Sequence, residues 1–201
     1  QLQDVNVAIK DGKIHKIGEI SEDAKETINA EGQTVLPGCI DTQTHFREPG
    51  STDTEDLHSG SRAAIAGGIT SVFEMPNTNP PTSNMKEFQR KIDLAKNRMY
   101  CNHAFYFGAT ADNADDLASL EGLEGCCGIK LFAGSSTGNL LVAEEDDIDK
   151  VFQNASKVVA VHSEDEAILN MNKKLIKQGD VHTHPVWRSV ECAISSTRRI
   201  V

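Results

Sequence analysis

Two patterns of hydrophobic and polar residues divide the chain near residue 35. The amino-terminal part alternates apolar and polar positions, as in VNVAIKDGKIHKIGEI, and this run breaks at Asp11-Gly12. Alternation with a period of two on either side of an Asp-Gly pair predicts a β-hairpin. We therefore expect residues 1–35 to form short strands, and residues 36–201 to form a separate domain of a different kind.

From residue 36 onwards, apolar runs alternate with stretches that favour helices. The apolar runs predict five strands, at Leu36–Ile40, Ile69–Met75, His103–Phe107, Gly128–Phe132 and Val158–Val161. The stretches between and after them predict helices, at Leu57–Ala66, Met85–Met99, Asp112–Leu120, Glu144–Gln153, Asp165–Gln178 and Trp187–Val201. Strands that alternate with helices form a parallel sheet, either a doubly wound open sheet or a (β/α)₈ barrel.

The length of the second part separates these two architectures. A complete barrel typically needs about 250 residues. Residues 36–201 provide only the five predicted strands, and no strand follows the last predicted helix. We therefore expect an incomplete barrel that belongs to a longer protein, or else an open sheet that is complete with five strands.

The composition limits the function classes. The chain has 201 residues, of which 38% are hydrophobic and 25% are charged, as in ordinary globular proteins. Its formal net charge of −10 argues against a nucleic-acid or anionic-membrane surface, since both need a basic footprint. No apolar stretch approaches the length of a membrane helix. Five cysteines without a CxxC spacing predict reduced thiols and a cytoplasmic protein.

The segment DTQTHFREPG, residues 41–50, follows the first predicted strand. Residues two apart on a strand point to the same side, so Asp41, Gln43 and His45 share one face. A histidine at the end of a strand can ligate a metal, although a lone histidine is more often held by hydrogen bonds alone.

Lys130 lies inside the fourth predicted strand, between Ile129 and Leu131. A buried amine is costly unless it is paired or modified. Four explanations stay open: a salt bridge, a Schiff-base lysine, a lysine carbamylated by CO₂ that bridges two metals, or a lysine at a sheet edge whose amine reaches solvent.

His162 follows the fifth predicted strand directly, and acidic residues come after it. A histidine in this position could ligate a metal, with a neighbouring carboxylate that orients its ring. The alternative is a capping box at the start of a helix, with Ser163 as the N-cap and Glu166 at the third position. The segment MPNTNPP, residues 75–81, predicts a rigid loop, which either holds substrate, as loops after strands commonly do, or is simply a turn. We expect His182 and His184 to lie in a loop.

Four segments together resemble the amidohydrolase superfamily, and most closely its dihydroorotases: LPGCIDTQTHFREPG, EMPNTNPPT, IKLFAGSSTG and VAVHSED. The resemblance implies a TIM (β/α)₈ barrel of the metal-dependent hydrolase type, incomplete in this chain and preceded by part of a small β-sandwich domain. It implies reversible hydrolysis of the cyclic amide of dihydroorotate to N-carbamoyl-L-aspartate, a step of pyrimidine biosynthesis. The implied cofactor is zinc, as one or two divalent ions.

The resemblance also implies roles for individual residues. His45 would ligate the first metal, His162 the second, and Lys130, as a carbamate, would bridge both. Arg47 and Asn77 would bind the substrate carboxylate, for which a guanidinium is well suited.

This chain departs from the family pattern at Gln43, where the family has its first metal-binding histidine. An amide oxygen is a weaker zinc ligand than an imidazole. The family's last histidine ligand and its aspartate general base would lie beyond Val201, so we expect no catalytic residue in this chain and no activity of the chain by itself.

Two alternatives remain for the function. A hydantoinase-like or dihydropyrimidinase-like amidohydrolase would share the metal scaffold, but its substrates need not carry the carboxylate that Arg47 would bind. A non-catalytic dihydroorotase-like scaffold would explain Gln43, but it leaves Lys130 and His162 without a role. We expect a small-molecule substrate and no nucleic-acid or membrane partner. The protein could also form a homodimer.

Overall fold

The computed structural model describes residues 4–136 and 138–201. Residues 1–3 of the predicted first domain, and Thr137 of the IKLFAGSSTG segment, lie outside the described residues. The chain divides into two compact units, residues 1–37 and residues 38–201. The assignment of the first unit to a β-sandwich domain stays a prediction.

The first unit contains an antiparallel hairpin of β1 (Asn6–Lys10) and β2 (Lys13–Gly18). Asp11 and Gly12 connect the strands with φ angles of 53° and 72°. Two consecutive residues with positive φ form the turn that matches the twist of a hairpin, and Asp-Gly is a favoured pair for it.

The second unit, as far as it is described, contains one sheet of five parallel strands in chain order. The strands are β3 (Cys39–Thr44), β4 (Ile69–Glu74), β5 (Asn102–Gly108), β6 (Cys126–Phe132) and β7 (Val159–His162). A doubly wound sheet reverses its strand order at a switch point, whereas these strands follow one another in a single direction. The unit is therefore an incomplete TIM barrel.

Helices connect consecutive strands and follow the last one. They are α1 (Leu57–Ala66), α2 (Met85–Ala95), α3 (Leu117–Leu120), α4 (Glu145–Asn154), α5 (Glu166–Asn172), α6 (His184–Trp187) and α7 (Val190–Ile200). Short 3₁₀ turns stand at Ala114–Asp116, Lys173–Leu175 and Val181–Thr183. Asp56, Asn84, Asp165 and Ser189 cap four of the helices, since each side chain accepts a hydrogen bond from the first turn of its helix.

The core lies between the sheet and its helices. Alternate strand residues such as Val72, Phe105, Phe107, Ile129 and Leu131 are fully buried there, against apolar side chains of the helices. β6 is the most buried strand, because it lies between β5 and β7 and is covered on both faces. This burial places Lys130 in the interior of the sheet.

Three local predictions were wrong. The first strand covers Cys39–Thr44 rather than Leu36–Ile40, because Pro37 has no N–H to donate and the ladder begins with Cys39 N–H donating to Gly68 O at 3.1 Å. The N-cap of α5 is Asp165, whose carboxylate accepts from Ile168 N at 3.1 Å, while Ser163 binds hydroxyls of α7. His182 and His184 lie in short helical segments rather than a loop.

Candidate metal and substrate site

The side chains singled out by the sequence lie near the carboxyl ends of four strands. His45 and Arg47 follow β3, Asn77 follows β4, Lys130 lies near the end of β6, and His162 ends β7. The carboxyl ends of parallel strands meet at one rim of a barrel, where its active sites form. The fold therefore brings residues from distant parts of the sequence to one rim.

Arg47 lies in a loop that adopts an unusual backbone conformation. Its φ is 61°, in the left-handed region that side chains other than glycine seldom occupy. The surrounding loop holds it there: Arg47 O accepts from Ser51 N at 3.0 Å, and Pro49 O accepts from Asn79 N at 2.9 Å. A rare conformation held by neighbouring hydrogen bonds is typical of binding sites.

Glu48 anchors this loop to the outer helices. Its carboxylate accepts from Leu57 N, the first residue of α1, at 2.9 Å, and from Arg98 at 2.7 and 3.0 Å. Glu48 is buried, and the positive end of the helix dipole favours a carboxylate at this place. The sequence analysis assigned Glu48 no role, although its position between Arg47 and a proline could have indicated one.

The loop after β4 is braced by its own hydroxyls and amides. Thr78 Oγ1 donates to Pro80 O at 2.9 Å, and Thr82 N donates to Pro76 O at the same distance. Gly108 N, at the end of β5, donates to Thr82 O at 2.8 Å. The loop that carries Asn77 is thus fixed to itself and to the next strand.

His45 is half-buried and hydrogen-bonded to the Asn77 side chain. Burial lowers the pKa of His45, and the positive charges of Arg47 and Lys130 lower it further, while the bond to Asn77 opposes this change. A lowered pKa keeps the imidazole neutral near pH 7, which is the form that ligates a metal.

Lys130 is 2% exposed. Burial lowers the pKa of Lys130 to about 8, so a larger fraction of this amine is neutral near pH 7 than for a lysine in water. The amine lies 4.8 Å from the centre of the Phe132 ring. Among the residues that the structure describes, no ion pair includes Lys130, so the salt-bridge explanation finds no support there. The sheet-edge explanation is wrong, because β6 is an interior strand.

His162 is oriented by a carboxylate and an aromatic ring. Its Nε2 lies 2.5 Å from Glu164 Oε2, and its ring stacks on Phe132 with centroids 6.0 Å apart. The same Phe132 ring faces the Lys130 amine, so both candidate ligands flank one aromatic side chain. The acidic residue expected behind His162 is therefore Glu164.

Arg188 is a member of this cluster that the sequence did not indicate. Its guanidinium binds Glu164 and also donates to Ser135 O at 2.7 Å. Ser135 N donates to Glu166 Oε2 at 2.7 Å. The loop after β6 is thereby fixed to the segment after β7. A single arginine 26 positions after His162 carries no local motif that could have revealed it.

Gln43 lies on β3, and its side chain is exposed. Its backbone N–H donates to Asp41 Oδ1 at 2.9 Å. The described residues contain no group of three or more histidine, cysteine, aspartate or glutamate side chains able to hold a metal ion.

Comparison with known proteins identifies a family for this chain. The model of the amidohydrolase family matches residues 34–194. The chain belongs to the amidohydrolase family. The match covers every strand of the second unit, and it confirms the superfamily that the four sequence segments indicated.

Individual relatives include more than one cyclic amidohydrolase. A dihydroorotase of Methanosarcina mazei is 36% identical over 98% of this chain and 44% of its own length. An allantoinase of Escherichia coli is 32% identical over 98% of the chain and 46% of its own length. The solved L-hydantoinase (dihydropyrimidinase) from Arthrobacter aurescens matches 97% of the chain and 45% of its own, with a TM-score of 0.87 and 26% identity. The chain thus spans less than half the length of these relatives.

No helix among residues 4–136 and 138–201 has the length and apolarity needed to cross a bilayer.

Proposed function

We propose that this chain supplies the amino-terminal half of a dihydroorotase, which hydrolyses the cyclic amide of dihydroorotate reversibly to N-carbamoyl-L-aspartate in the cytoplasm. The observation that supports this substrate is the convergence of Arg47, Asn77 and His45. The His45 imidazole is hydrogen-bonded to Asn77 and feels the charge of Arg47. A guanidinium and an amide beside a candidate metal ligand suit a cyclic amide that carries a carboxylate.

A divalent metal fits the donors at this rim. His45 is favoured in its neutral form, and Lys130 has a lowered pKa and no ion-pair partner among the described residues. A neutral amine can react with CO₂ to form an anionic carbamate, which is a metal ligand, whereas an ammonium group cannot. We propose that His45, His162 and carbamylated Lys130 hold one or two zinc ions, with Gln43 as a weak or absent ligand. When bound, the metal would lower the pKa of water and polarise the amide carbonyl.

The other residues of the rim orient and confine the substrate in this proposal. Arg47 forms a bidentate pair with the substrate carboxylate, and Asn77 donates to it. The loop after β6, fixed by Arg188 through Ser135, lines a cavity of about 160 Å³ together with Phe132 and Leu140. That loop would exclude water from the reacting amide.

The chain alone is proposed to be inactive. The resemblance assigns the aspartate general base and the last histidine ligand to the part of the relatives that this chain does not span. A hydantoinase-like enzyme remains the second candidate, since the solved L-hydantoinase shares the fold with a TM-score of 0.87. A non-catalytic scaffold is the third, and the exposed Gln43 favours it.

The test compares substrates on the full-length protein that contains this chain. We expect turnover of dihydroorotate and little turnover of hydantoin or allantoin, neither of which carries a carboxylate on its ring. Arg47→Ala should raise KM for dihydroorotate by about 100-fold with a smaller change in kcat, because it removes a charge-assisted pair. Arg90→Ala, which removes an exposed arginine of α2, is the control and should leave KM unchanged.

Metal analysis of the same proteins separates the candidates. Lys130→Ala should remove most of the zinc per chain, while Lys150→Ala on the exposed face of α4 should not. Preferred turnover of hydantoin would favour the second candidate. A wild-type protein with neither zinc nor turnover would favour the scaffold.

A further inference from the structure

A fully buried ion pair lies beside the rim, and the proposed chemistry does not use it. Glu74 is the last residue of β4, Lys91 lies in the middle of α2, and their side chains are 1% and 0% exposed. Lys91 Nζ also donates to Met75 O at 2.8 Å and lies 5.5 Å from the centre of the Phe105 ring. Both charged groups are therefore removed from water on the side of the sheet that faces the helices.

The pair contacts the backbone of two different strand ends. The Glu74 carboxylate accepts a hydrogen bond from Phe46 N–H, after β3, and the Lys91 ammonium donates to Met75 O, after β4. Phe46 stands between His45 and Arg47, and Met75 lies two residues before Asn77. The Glu74 side chain thus connects the end of β4 to the backbone of the Arg47 loop, and Lys91 holds both that carboxylate and the carbonyl of the next residue, Met75, which begins the Asn77 loop.

The strand ladder ends before Phe46, and the next backbone bond between the two loops is farther along, from Asn79 N–H to Pro49 O at 2.9 Å. The pairing of β3 with β4 is irregular between Asp41 and Thr44, and its last bond is Met75 N–H to Thr44 O at 2.9 Å. Phe46 lies beyond that bond, at the place where the Glu74 carboxylate accepts its N–H. The ion pair therefore continues the contact between the strands past the end of the ladder.

Stability alone does not account for this arrangement. Desolvating two charges costs several kcal/mol per ion, and well-packed apolar pairs of similar volume are often as stable or more so. Methionine and leucine would fill the same volume, but they could not bond to Phe46 N–H and Met75 O at once. The geometry is better explained by a requirement for a fixed distance between the Arg47 loop and the Asn77 loop.

We propose that Glu74 and Lys91 are positioning residues, which fix the distance between the Arg47 loop and the Asn77 loop and thereby set the affinity for the substrate carboxylate. The inference rests on the proposed function in one respect, since the ligand is the carboxylate of dihydroorotate. The fixed spacing itself is a property of the loops and can be measured without any substrate.

The decisive variant is Glu74→Gln/Lys91→Met in the full-length protein. Methionine fills the volume of the lysine stem, and glutamine can still accept from Phe46 N–H, so no buried charge is left unpaired. The variant keeps the bond to Phe46 N–H and removes the bonds of Lys91 to the residue 74 side chain and to Met75 O. We expect KM for dihydroorotate to rise by about tenfold or more, with kcat changed much less and zinc per chain unchanged, because small misplacements of binding groups are costly.

Glu121→Gln is the matched control. Glu121 is also 1% exposed, and its carboxylate accepts from Ser156 N at 2.7 Å and Lys157 N at 2.9 Å, before the start of β7. This variant alters an equally buried carboxylate that bonds to backbone away from the rim. It should lower stability and leave KM unchanged.

Amide hydrogen exchange supplies the readout that does not depend on activity. In the double variant, the amides of residues 45–47 and those of Met75 and Asn77 should exchange about tenfold faster or more, while core amides of β5 and β6 keep their protection. The Glu121→Gln variant should leave those two loops unchanged. If the wild-type protein does not turn over dihydroorotate, the proposed function fails, and loop exchange alone then decides the positioning role.

Two results would overturn the inference. One is unchanged exchange in both loops of the double variant. The other, in an active enzyme, is a KM within a factor of about two of the wild type, which would show that the pair contributes only to packing. The single variant Lys91→Met, which leaves Glu74 buried without its partner, should be the less stable protein and provides the comparison for folding.

Discussion

The guanidinium of Arg98 binds the carboxylate of Glu48 through two hydrogen bonds, of 2.7 Å to Oε1 and 3.0 Å to Oε2. The two residues are 50 positions apart, and their contact fixes the segment after α2 to the loop after β3. The same carboxylate accepts from the first N–H of α1. One side chain therefore determines how the Arg47 loop leaves its strand and how the following helix begins.

Glu48→Gln should lower the free energy of unfolding of the chain by about 2 kcal/mol, because a neutral amide loses the charge-assisted pair and leaves Arg98 only its weaker contacts with Asp56 and Leu94 O. Urea unfolding followed by circular dichroism measures this loss. Glu124→Gln, at an exposed position, is the control and should change stability by less than about 0.5 kcal/mol. Equal effects of the two substitutions would contradict the anchoring role of Glu48.

Gly60→Ala should disturb the same loop from the side of α1. A Cβ at Gly60 would lie 2.4 Å from the Phe46 ring, so the ring or the start of α1 must shift. We expect a loss of about 1–3 kcal/mol in urea unfolding, as for other overpacked sites. Gly67→Ala provides the comparison, since a Cβ there meets nothing closer than 3.5 Å. A stable Gly60→Ala variant would show that the Phe46 ring is not confined.

Gln43→His should strengthen zinc binding by the 201-residue chain by about tenfold or more, because an imidazole is a better zinc ligand than an amide. Gln43 lies two residues before His45 on the same face of the chain, so the new ring is directed toward the same rim. Competition with a chromophoric chelator measures the affinity. Gln153→His, on the exposed side of α4, should leave it unchanged. No gain from Gln43→His would mean that β3 does not contribute to a metal site.

The Glu74–Lys91 pair predicts a pH dependence of stability. Burial raises the pKa of Glu74 to about 7, above its ordinary value of 4.5, although the charge of Lys91 opposes this change. Between these two pH values the folded protein holds a proton that the unfolded chain has lost, so the stability contributed by this group falls as pH rises from 4.5 to 7.

The measurement for this prediction is urea unfolding at several pH values, for the wild type and for Glu74→Gln/Lys91→Met. The difference in stability, wild type minus variant, should decrease over this pH interval. A difference that increases from pH 4.5 to 7 would show that the pair attraction outweighs desolvation and that Glu74 titrates below its ordinary pKa.

The sequence predicted the repeating units of the fold well, because each unit carries its own pattern. The helix Leu57–Ala66 was predicted with its observed bounds, and four of the five strands overlap their predicted ranges closely. The first strand was misplaced because hydrophobicity favoured Leu36, whereas Pro37 cannot donate to a ladder and Leu36 is exposed. Local periodicity does not report which backbone groups find partners.

The site was predicted only in part, for a similar reason. The histidines and Lys130 were indicated by unusual chemistry at strand ends, and the topology brings those ends to one rim. Arg98, Arg188 and Lys91 were missed, since each contacts a residue at least 16 positions away and lies in a segment that reads as an ordinary polar helix or loop. Such long-range pairs are decided by tertiary packing alone.

The chain order of the five parallel strands has a consequence for biosynthesis. Each strand pairs with the strand translated just before it, as in Cys39 with Ile69, so the sheet can grow in the direction in which the ribosome delivers it. β6 becomes an interior strand only when β7 arrives, and until then the Lys130 strand is the growing edge of the nascent sheet. Backbone groups of this strand such as Ile129 N–H, which donates to Val158 O at 3.0 Å in the folded sheet, therefore have no strand partner until β7 has been synthesised.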